Sequence, residues 1–499
     1  MGRLFGLNSA GPGKARVLEI GCGDGANLLA MADHFPEAHF LGIDPSSTQI
    51  GRAREAIAAA GLKNVEVRQQ GLLDFSVSDE RFDYIIAFGI YSWVALAARE
   101  KLLSTCGKHL ADDGIAYVSY NALPGWNMRR SLRDMMLFHT REMPDPQAKV
   151  QQARALLAFL ANSVPAEGSA YGMLLKNELT FLGNQSDTFI LRDLLAKENT
   201  PFYLHEFLGA AGQHGLQYLS EPNVAEMLTS NFPEKVRETL AQLNNQLVAQ
   251  EQYMDFLRNR SFRQTLLCRS TARIQRNLTT SGLSRFAFRS LVGNPAGPVE
   301  LVPGMAVSFA TLAGAQLTAT DTFLKALLWT LSESRGVSAI GYADLLATCR
   351  TRSRPFLAEA PPDRDQVEEA TLQSNLMNLL SKGLVEIYAE PVKVRAEVPD
   401  KPMVSALARH QALSARLITN RMHQPVPADL LSRFVIAACN GERTHDQITT
   451  ELIARFKEGK LQISEGSQKI TDEAKLKTIL RPTVDAALKS LASAGFFAP

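Results

Sequence analysis

The chain has 499 residues, 45% of them hydrophobic, an ordinary content for globular protein, and is too long for a single core, so about three or four domains are expected. Its 53 basic and 51 acidic residues leave a formal charge of +2, which excludes an overall electrostatic drive toward nucleic acid or a membrane surface. No stretch approaches the roughly 20 consecutive apolar residues of a membrane span, and the start Met1-Gly-Arg-Leu-Phe-Gly6 lacks the apolar segment of a signal peptide. The five scattered cysteines (Cys22, Cys106, Cys268, Cys349, Cys439) form no Cys-x-x-Cys pair, so neither disulfides nor a metal centre is expected, and the cytoplasm is the expected compartment.

Residues 17–20 form a short apolar strand that runs into Gly21, Gly23 and Gly25, and residues 27–35 place Leu28, Leu29, Ala32 and Phe35 on one helical face. The glycines therefore sit on a strand-to-helix turn. Such a turn lets a ligand approach the backbone, where the N–H groups opening the helix can bind its oxygens. The next strand, 40–43, ends in Asp44, 25 residues after Glu19, where two carboxylate oxygens can accept both hydroxyls of a ribose. An adenosine derivative is the expected ligand. Asp44 also suits the cap of the helix that Pro45-Ser46-Ser47 begins, the lesser of its two readings, and Cys22 reads as a small filler rather than a nucleophile. A third strand, 65–69, is followed by Leu73 and Asp74, and a fourth, 82–88, by Gly89-Ile-Tyr91-Ser-Trp93. Helix 94–110 and strand 114–120 complete five β/α units, with Tyr120, Asn121 and Trp126 at the following turn.

Dinucleotide folds use G-x-G-x-x-G, whereas this loop is Glu19-x-Gly21-x-Gly23-x-Gly25 and resembles the first motif of class I S-adenosylmethionine methyltransferases. NAD is the alternative ligand that a glycine loop leaves open. The resemblance implies an α/β, Rossmann-like sheet with S-adenosyl-L-methionine as cofactor, contacted by Glu19, Gly21, Cys22, Gly23, Gly25, Asp44, Leu73, Asp74 and Phe88. It places Asp74 by the adenine amino group and active-site residues at 89–93. Only about 15 residues precede Val17, fewer than the lead-in helix that covers the methionine end of the cofactor in such enzymes, and residues 3–6 read as the end of one.

Beyond Tyr120, residues 128–140 are predicted helical, broken by Pro144 and Pro146, with further helical stretches at 147–160 and 191–208. Residues 214–220 read as a late strand returning to the sheet, which makes 140–200 an insertion over the catalytic face. After Pro233 one long helix is expected through Leu240, Leu247, Met254 and Leu257, continuing into a basic, aromatic segment at 255–267. Residues 251–268, together with 120–126 and 89–93, resemble bacterial methyltransferases with a methyltransferase regulatory domain, whose members include the rickettsial protein-lysine methyltransferases. From the residues alone, 251–268 also reads as a solvated helix whose arginines pair with acids, since Arg258, Arg260 and Arg263 are too irregular to line a phosphate stripe.

The last 200 residues read as helix-rich modules. Thr320 or Asp321 caps a helix ending at Arg335-Gly336, residues 338–349 form another, and Arg350 to Arg354 with Pro361-Pro362 read as an exposed connection. Residues 367–380 form a helix stopped by Gly383, and 384–388 a strand. A helix at 429–439, a capping box at Thr444 and Gln447 and a hairpin within 461–470 suggest a winged helix. Its second helix holds Arg455 beside Asp446 and Glu451, so nucleic acid is not an expected partner. The expected domains are 1–140 for cofactor binding, with 205–222 as a candidate completing segment; 141–290, helical insertion and regulatory; 291–395, helix-rich; and 396–499, winged-helix-like.

Phe88-Gly-Ile-Tyr91 stands where amide and exocyclic-amine methyltransferases carry Asp- or Asn-Pro-Pro-aromatic, which disfavours DNA adenine as acceptor. A lysine acceptor, with a solution pKa of about 10.4, must lose its proton before attacking a sulfonium, and a partly desolvated aromatic pocket encourages that. Tyr91, Trp93, Tyr120 and Trp126, with Asn121, are the candidate catalytic residues, and each aromatic equally reads as packing. The expected function is methyl transfer to lysine side chains of a protein substrate, with a homodimer as a candidate assembly. The alternatives are a small-molecule methyltransferase with a regulatory or dimerising tail, and a non-catalytic cofactor-binding scaffold.

Overall fold

The computed structural model describes all residues except 244–245, 296, 312–313, 335–336, 358–361, 459–463, 466–467, 470–472 and 499. Seven strands make one sheet in the order β3-β2-β1-β4-β5-β7-β6: β1 (Arg16–Ile20), β2 (His39–Asp44), β3 (Val65–Gln69), β4 (Phe82–Ala87), β5 (Leu110–Asn121), β6 (Leu216–Ser220) and β7 (Phe262–Arg269). β1 pairs in parallel with β2, β2 with β3, and β4 with β5, whereas β7 runs antiparallel to both β5 and β6. Val17, Leu18 and Ile20 are buried, as a strand covered on both faces requires.

The chain divides into two compact units: residues 1–70, 223–231 and 273–499, and residues 71–222 and 232–272. In the first, β1 to β3 alternate with helices Ala26–His34 and Ser47–Ala60, the latter capped by the Ser46 side chain. The middle region is less helical than its sequence suggests. Val292–Pro295, Val307–Thr311 and Gln316–Ala319 form an antiparallel sheet, and Ala287–Ser290 lies between Ile340–Gly341 and Val385–Tyr388. Val385–Tyr388 is the strand expected from sequence; the others are mostly four residues or fewer, below the length at which alternation stands out from background. Helix Thr322–Glu333 starts at the Asp321 cap as predicted, while the Arg335-Gly336 stop and Pro361 lie outside the described residues.

The C-terminal region has helices Ala406–Ser414, Leu430–Ala438, His445–Lys457 and Glu473–Ser493 around one apolar core. Thr444 and Gln447 form the predicted capping box. Of the hairpin expected within 461–470, Ser464–Glu465 pairs with Gln468–Lys469, and the remainder lies outside the described residues. Leu407 packs with Leu29 and Ala30, so this region seats on the helix that follows the glycine loop.

In the second unit, helices Trp126–Thr140, Pro146–Ser163 and Ala170–Gly183 share a core that includes Leu132, Met136, Leu157, Leu175 and Leu182. The helix expected over 191–208 is corrected to a π turn, Ile190–Leu194, and a separate helix, Leu204–Gln213, because Phe202 lies extended and accepts the Leu123 N–H. The long helix after Pro233 is two helices, Glu234–Ala241 and Leu247–Arg258. Asn259, with φ +48°, ends the second, and the basic segment after it is strand β7, not a helix.

Candidate cofactor and acceptor residues

The cofactor half in the first unit is built on the end of β1. Gly21, Gly23 and Gly25 take φ of +73°, +56° and +79°, values that L side chains adopt only with strain. A Cβ on Gly23 would meet nothing within 4 Å, so open space faces the backbone there. The loop is pinned across to β2: Gly21 and Cys22 donate to the Ile43 carbonyl, and Gly23 N donates to Asp44 Oδ2 at 3.0 Å. Asp44 Oδ1 accepts from Ser46 N at 2.8 Å at the entry to the next helix, near the capping role expected of it, and the same carboxylate locks the glycine loop, a role absent from the sequence reading.

Glu19 is buried, and Asn27 Nδ2 donates to its Oε1 at 3.0 Å, while its Oε2 has no hydrogen-bond partner among the described residues. Burial pushes this carboxyl up to about 7 despite the Asn27 bond. A buried acid with one unused oxygen beside open backbone suits a ligand bearing both a cation and hydrogen-bonding groups. Cys22 is buried, and burial together with the Glu19 and Asp44 charges pushes its thiol up to about 12, which suits the filler role and not a nucleophile. Two residues here escaped the sequence reading. Gly42 admits no side chain, since a Cβ would lie 2.7 Å from both Cys22 Sγ and Leu28 Cδ2, and Asn27 orients Glu19. Gly42 left a signal in being the sole glycine of an otherwise apolar strand.

The second unit holds the remaining candidates. Leu73 and Asp74 are exposed on the turn after β3, and Phe88 is 46% exposed, stacked on Tyr117 at 6.2 Å. Tyr91 is buried, its ring 5.0 Å from those of Phe202 and Phe207, with the hydroxyl pushed up to about 12 by burial. Trp93 is half-buried, with the Arg192 guanidinium 5.2 Å from its ring centre. Arg192 also closes over Gly89, where a Cβ would lie 2.5 Å from Nη2. Asn121 is buried, taking Ser92 Oγ with its backbone N–H at 2.9 Å and donating to Asn199 Oδ1 at 2.9 Å. Asn199 in turn donates to the carbonyl of Asp193, whose buried carboxyl is pushed up to about 6. Trp126 is buried beside Arg129, which is held by two 3.0 Å bonds to Glu178.

Tyr120 requires a correction. It is fully buried against Phe207, at 4.3 Å between rings, and its hydroxyl sits 3.2 Å from Thr265 Oγ1, so it packs β5 onto its neighbours instead of lining an open pocket. Beneath it lies a buried ionic cluster where the residues alone read as a solvated helix whose arginines pair with acids. Arg263 on β7 is completely buried and bonds Asp255 at 2.8 and 2.9 Å, Glu221 at 2.7 Å and Glu251 at 3.0 Å. Burial alone would favour the neutral guanidine, but these carboxylates hold Arg263 firmly protonated, and Arg260 adds a 2.9 Å pair to Asp255. Arg192, Asp193, Asn199, Phe202 and Phe207 were unforeseen, since only the folded 190–207 segment brings them beside β4 and β5.

Comparison with known proteins agrees with this architecture. Family models match a methyltransferase domain over residues 17–114, a "Predicted methyltransferase regulatory domain" over 186–269, and a PKMT C-terminal winged helix domain over 400–496. Among solved structures, PKMT2 from Rickettsia typhi in complex with AdoHcy is similar with a TM-score of 0.87 and 31% identity, covering 100% of this chain and 96% of that one. RP789 of Rickettsia prowazekii is 33% identical over 482 residues, 95% of this chain and 85% of its own length. RP028 of the same organism is 39% identical over 211 residues, covering 42% of this chain and 84% of its own. The chain is therefore a methyltransferase that belongs to the family of Rickettsia typhi PKMT2.

Proposed function

We propose that this chain uses S-adenosylmethionine to methylate lysine side chains of a protein substrate. The observation that carries the reading is the half-buried Trp93 under the Arg192 guanidinium directly after β4, with no acidic or Asn-Pro-Pro group in that stretch. Whole-chain similarity to PKMT2 supports the same acceptor class. The residues fit the cofactor: the open backbone at Gly23 and the unused Glu19 oxygen are what a zwitterionic adenosine derivative needs.

When bound, the cofactor supplies an electrophilic methyl group on a sulfonium. The chain supplies the rest. Asp44 would take the ribose hydroxyls, Asp74 the adenine amino group, Leu73 and Phe88 the adenine faces, and Glu19 the methionine ammonium. On the acceptor side, Trp93 would flank the lysine stem, while the Arg192 charge disfavours a second cation nearby and so favours the neutral, nucleophilic amine. The lysine nitrogen would have to release its proton to solvent before its lone pair could act as the nucleophile. Tyr91 and Asn121 fix the turn that carries Trp93, so alignment and exclusion of water dominate over acid–base chemistry.

The proposed domains keep the boundaries expected from sequence, with β6 and β7 completing the methyltransferase sheet. Nucleic acid is not a proposed partner, because Arg455 is engaged with Glu451 at 3.2 Å and Glu458 at 3.7 Å. Five buried free cysteines suit the proposed cytoplasmic setting. The test is transfer of tritium from labelled cofactor in a cell lysate: counts precipitating with protein support the reading, and counts only in the small-molecule fraction select the metabolite alternative.

A further inference from the structure

A residue almost four hundred positions from the glycine loop reaches its acid. His423 lies in the turn joining Leu417–Thr419 to Pro425–Pro427 in the C-terminal region, and its Nε2 is 2.9 Å from Asn27 Oδ1. Asn27 sits in the first turn of the helix after the loop and donates through Nδ2 to Glu19 Oε1 at 3.0 Å. The ionised Glu19 that suits a cationic ligand only accepts hydrogen bonds, so the amide nitrogen faces Glu19 and the amide oxygen faces His423, which therefore donates its Nε2 hydrogen. The chain His423, Asn27, Glu19 thus has one direction.

His423 is held for this contact at a conformational cost. Its φ is +58°, a region non-glycine residues seldom occupy, and such outliers mark positions that surrounding structure over-determines. The turn is braced: Asn420 Oδ1 accepts from Met422 N and Gln424 N, both at 2.9 Å, and Asn420 Nδ2 donates to the Ala494 carbonyl at 2.9 Å. Arg421 N donates to the Gly495 carbonyl, and Leu407 packs on Leu29 and Ala30 of the same helix that bears Asn27. A rigid turn is therefore seated beside the cofactor loop.

We propose that His423 is a positioning residue for the cofactor site: acting through Asn27, it fixes the Glu19 carboxyl so that Oε2, left without a hydrogen-bond partner among the described residues, is available to the ligand. The proposal rests on the reading of Glu19 as a cofactor contact. It makes the C-terminal domain part of the machinery that binds the methyl donor, not only an appended docking module.

The test is calorimetric binding of S-adenosylhomocysteine to the full chain, with thermal unfolding recorded on the free protein. His423→Gly should weaken binding about three- to ten-fold, the worth of one hydrogen bond, without lowering the melting temperature, because glycine accepts φ +58° freely. His423→Gln, whose amide can donate to the same oxygen, should restore most of the affinity. The double variant His423→Gly with Asn27→Ala should bind no more weakly than Asn27→Ala alone. Native affinity in His423→Gly while Glu19→Gln is weak overturns the proposal and leaves Glu19 in place. Native affinity in Glu19→Gln removes the reading on which it rests. Equal losses in the glycine and glutamine variants would make His423 a domain contact only, which also overturns it.

Discussion

Asp44→Ala tests the cofactor half most severely, because the structure gives this side chain two jobs. Its oxygens already accept Gly23 N at 3.0 Å and Ser46 N at 2.8 Å. A carboxylate offers about four lone-pair sites, so about two remain for the ribose hydroxyls. Hydrogen bonds to a charged group are worth about 1.5–3 kcal/mol each. Losing two at the lower end costs about 3 kcal/mol, which is over 100-fold in Kd. Release of Gly23 from its acceptor would add to that. Asp44→Asn keeps the shape and one acceptor oxygen, so it should fall between the native protein and the alanine variant. Calorimetric titration with S-adenosylhomocysteine reads the affinity, and thermal unfolding of the free variants separates ligand contact from loop damage. An alanine variant that binds within about threefold of the native protein would take Asp44 off the ribose and leave it only as the pin of the glycine loop and of the turn entering the next helix.

The Glu19 carboxyl, raised by burial from 4.5 to about 7, gives a signed pH effect. Between those values the folded state keeps a proton that the unfolded chain has lost, so this group's contribution to stability is full below 4.5 and is lost as pH rises through about 7. A cationic ligand favours the ionised form, so affinity should rise from about pH 6 to about pH 8, and Glu19→Gln should flatten the profile; a flat native profile contradicts the assignment. Arg263→Met removes the partner shared by three buried carboxylates, leaving Asp255 only Arg260, and should cost about 3–5 kcal/mol in urea unfolding, with an unchanged midpoint contradicting the cluster's role. Cys22→Ala should keep turnover within about twofold, because a thiol pushed up to about 12 is no nucleophile, and a loss beyond about tenfold would say otherwise. Gly42→Ala should destabilise by about 1–3 kcal/mol through the Cβ placed 2.7 Å from Cys22 Sγ and Leu28 Cδ2, and Cys22→Ala in the same chain should recover part of it; additive losses would refute that clash.

What the sequence disclosed followed the range of its signals. β1 to β5 were legible because β1, β2 and β4 are short, mostly apolar runs closed by turn residues, and the alternating glycines mark where the backbone must take positive φ, although a turn and not a helix joins β3 to β4. β6 was legible for the same reason. β7 was not, since Arg263, its second residue, and Gln264 interrupt the apolar pattern, and a charged residue reads as solvent-facing unless its partners are known. Those partners, Glu221, Glu251 and Asp255, become neighbours only when the chain returns to the sheet. Tyr120 was misplaced because its strand position does not reveal that Phe202 and Phe207 close over it. Asn27 and His423 show the same limit at its widest: neither is unusual locally, and their meaning comes from a fold that joins the first helix to the last domain.

The central claim is methyl transfer to protein lysine, and mass spectrometry of lysate proteins incubated with the enzyme and isotopically labelled S-adenosylmethionine addresses it most directly. Labelled methyl groups located on lysine Nζ atoms, absent without enzyme and reduced by Asp44→Ala, are the predicted result. Label confined to low-mass metabolites, or to residues other than lysine, would contradict it.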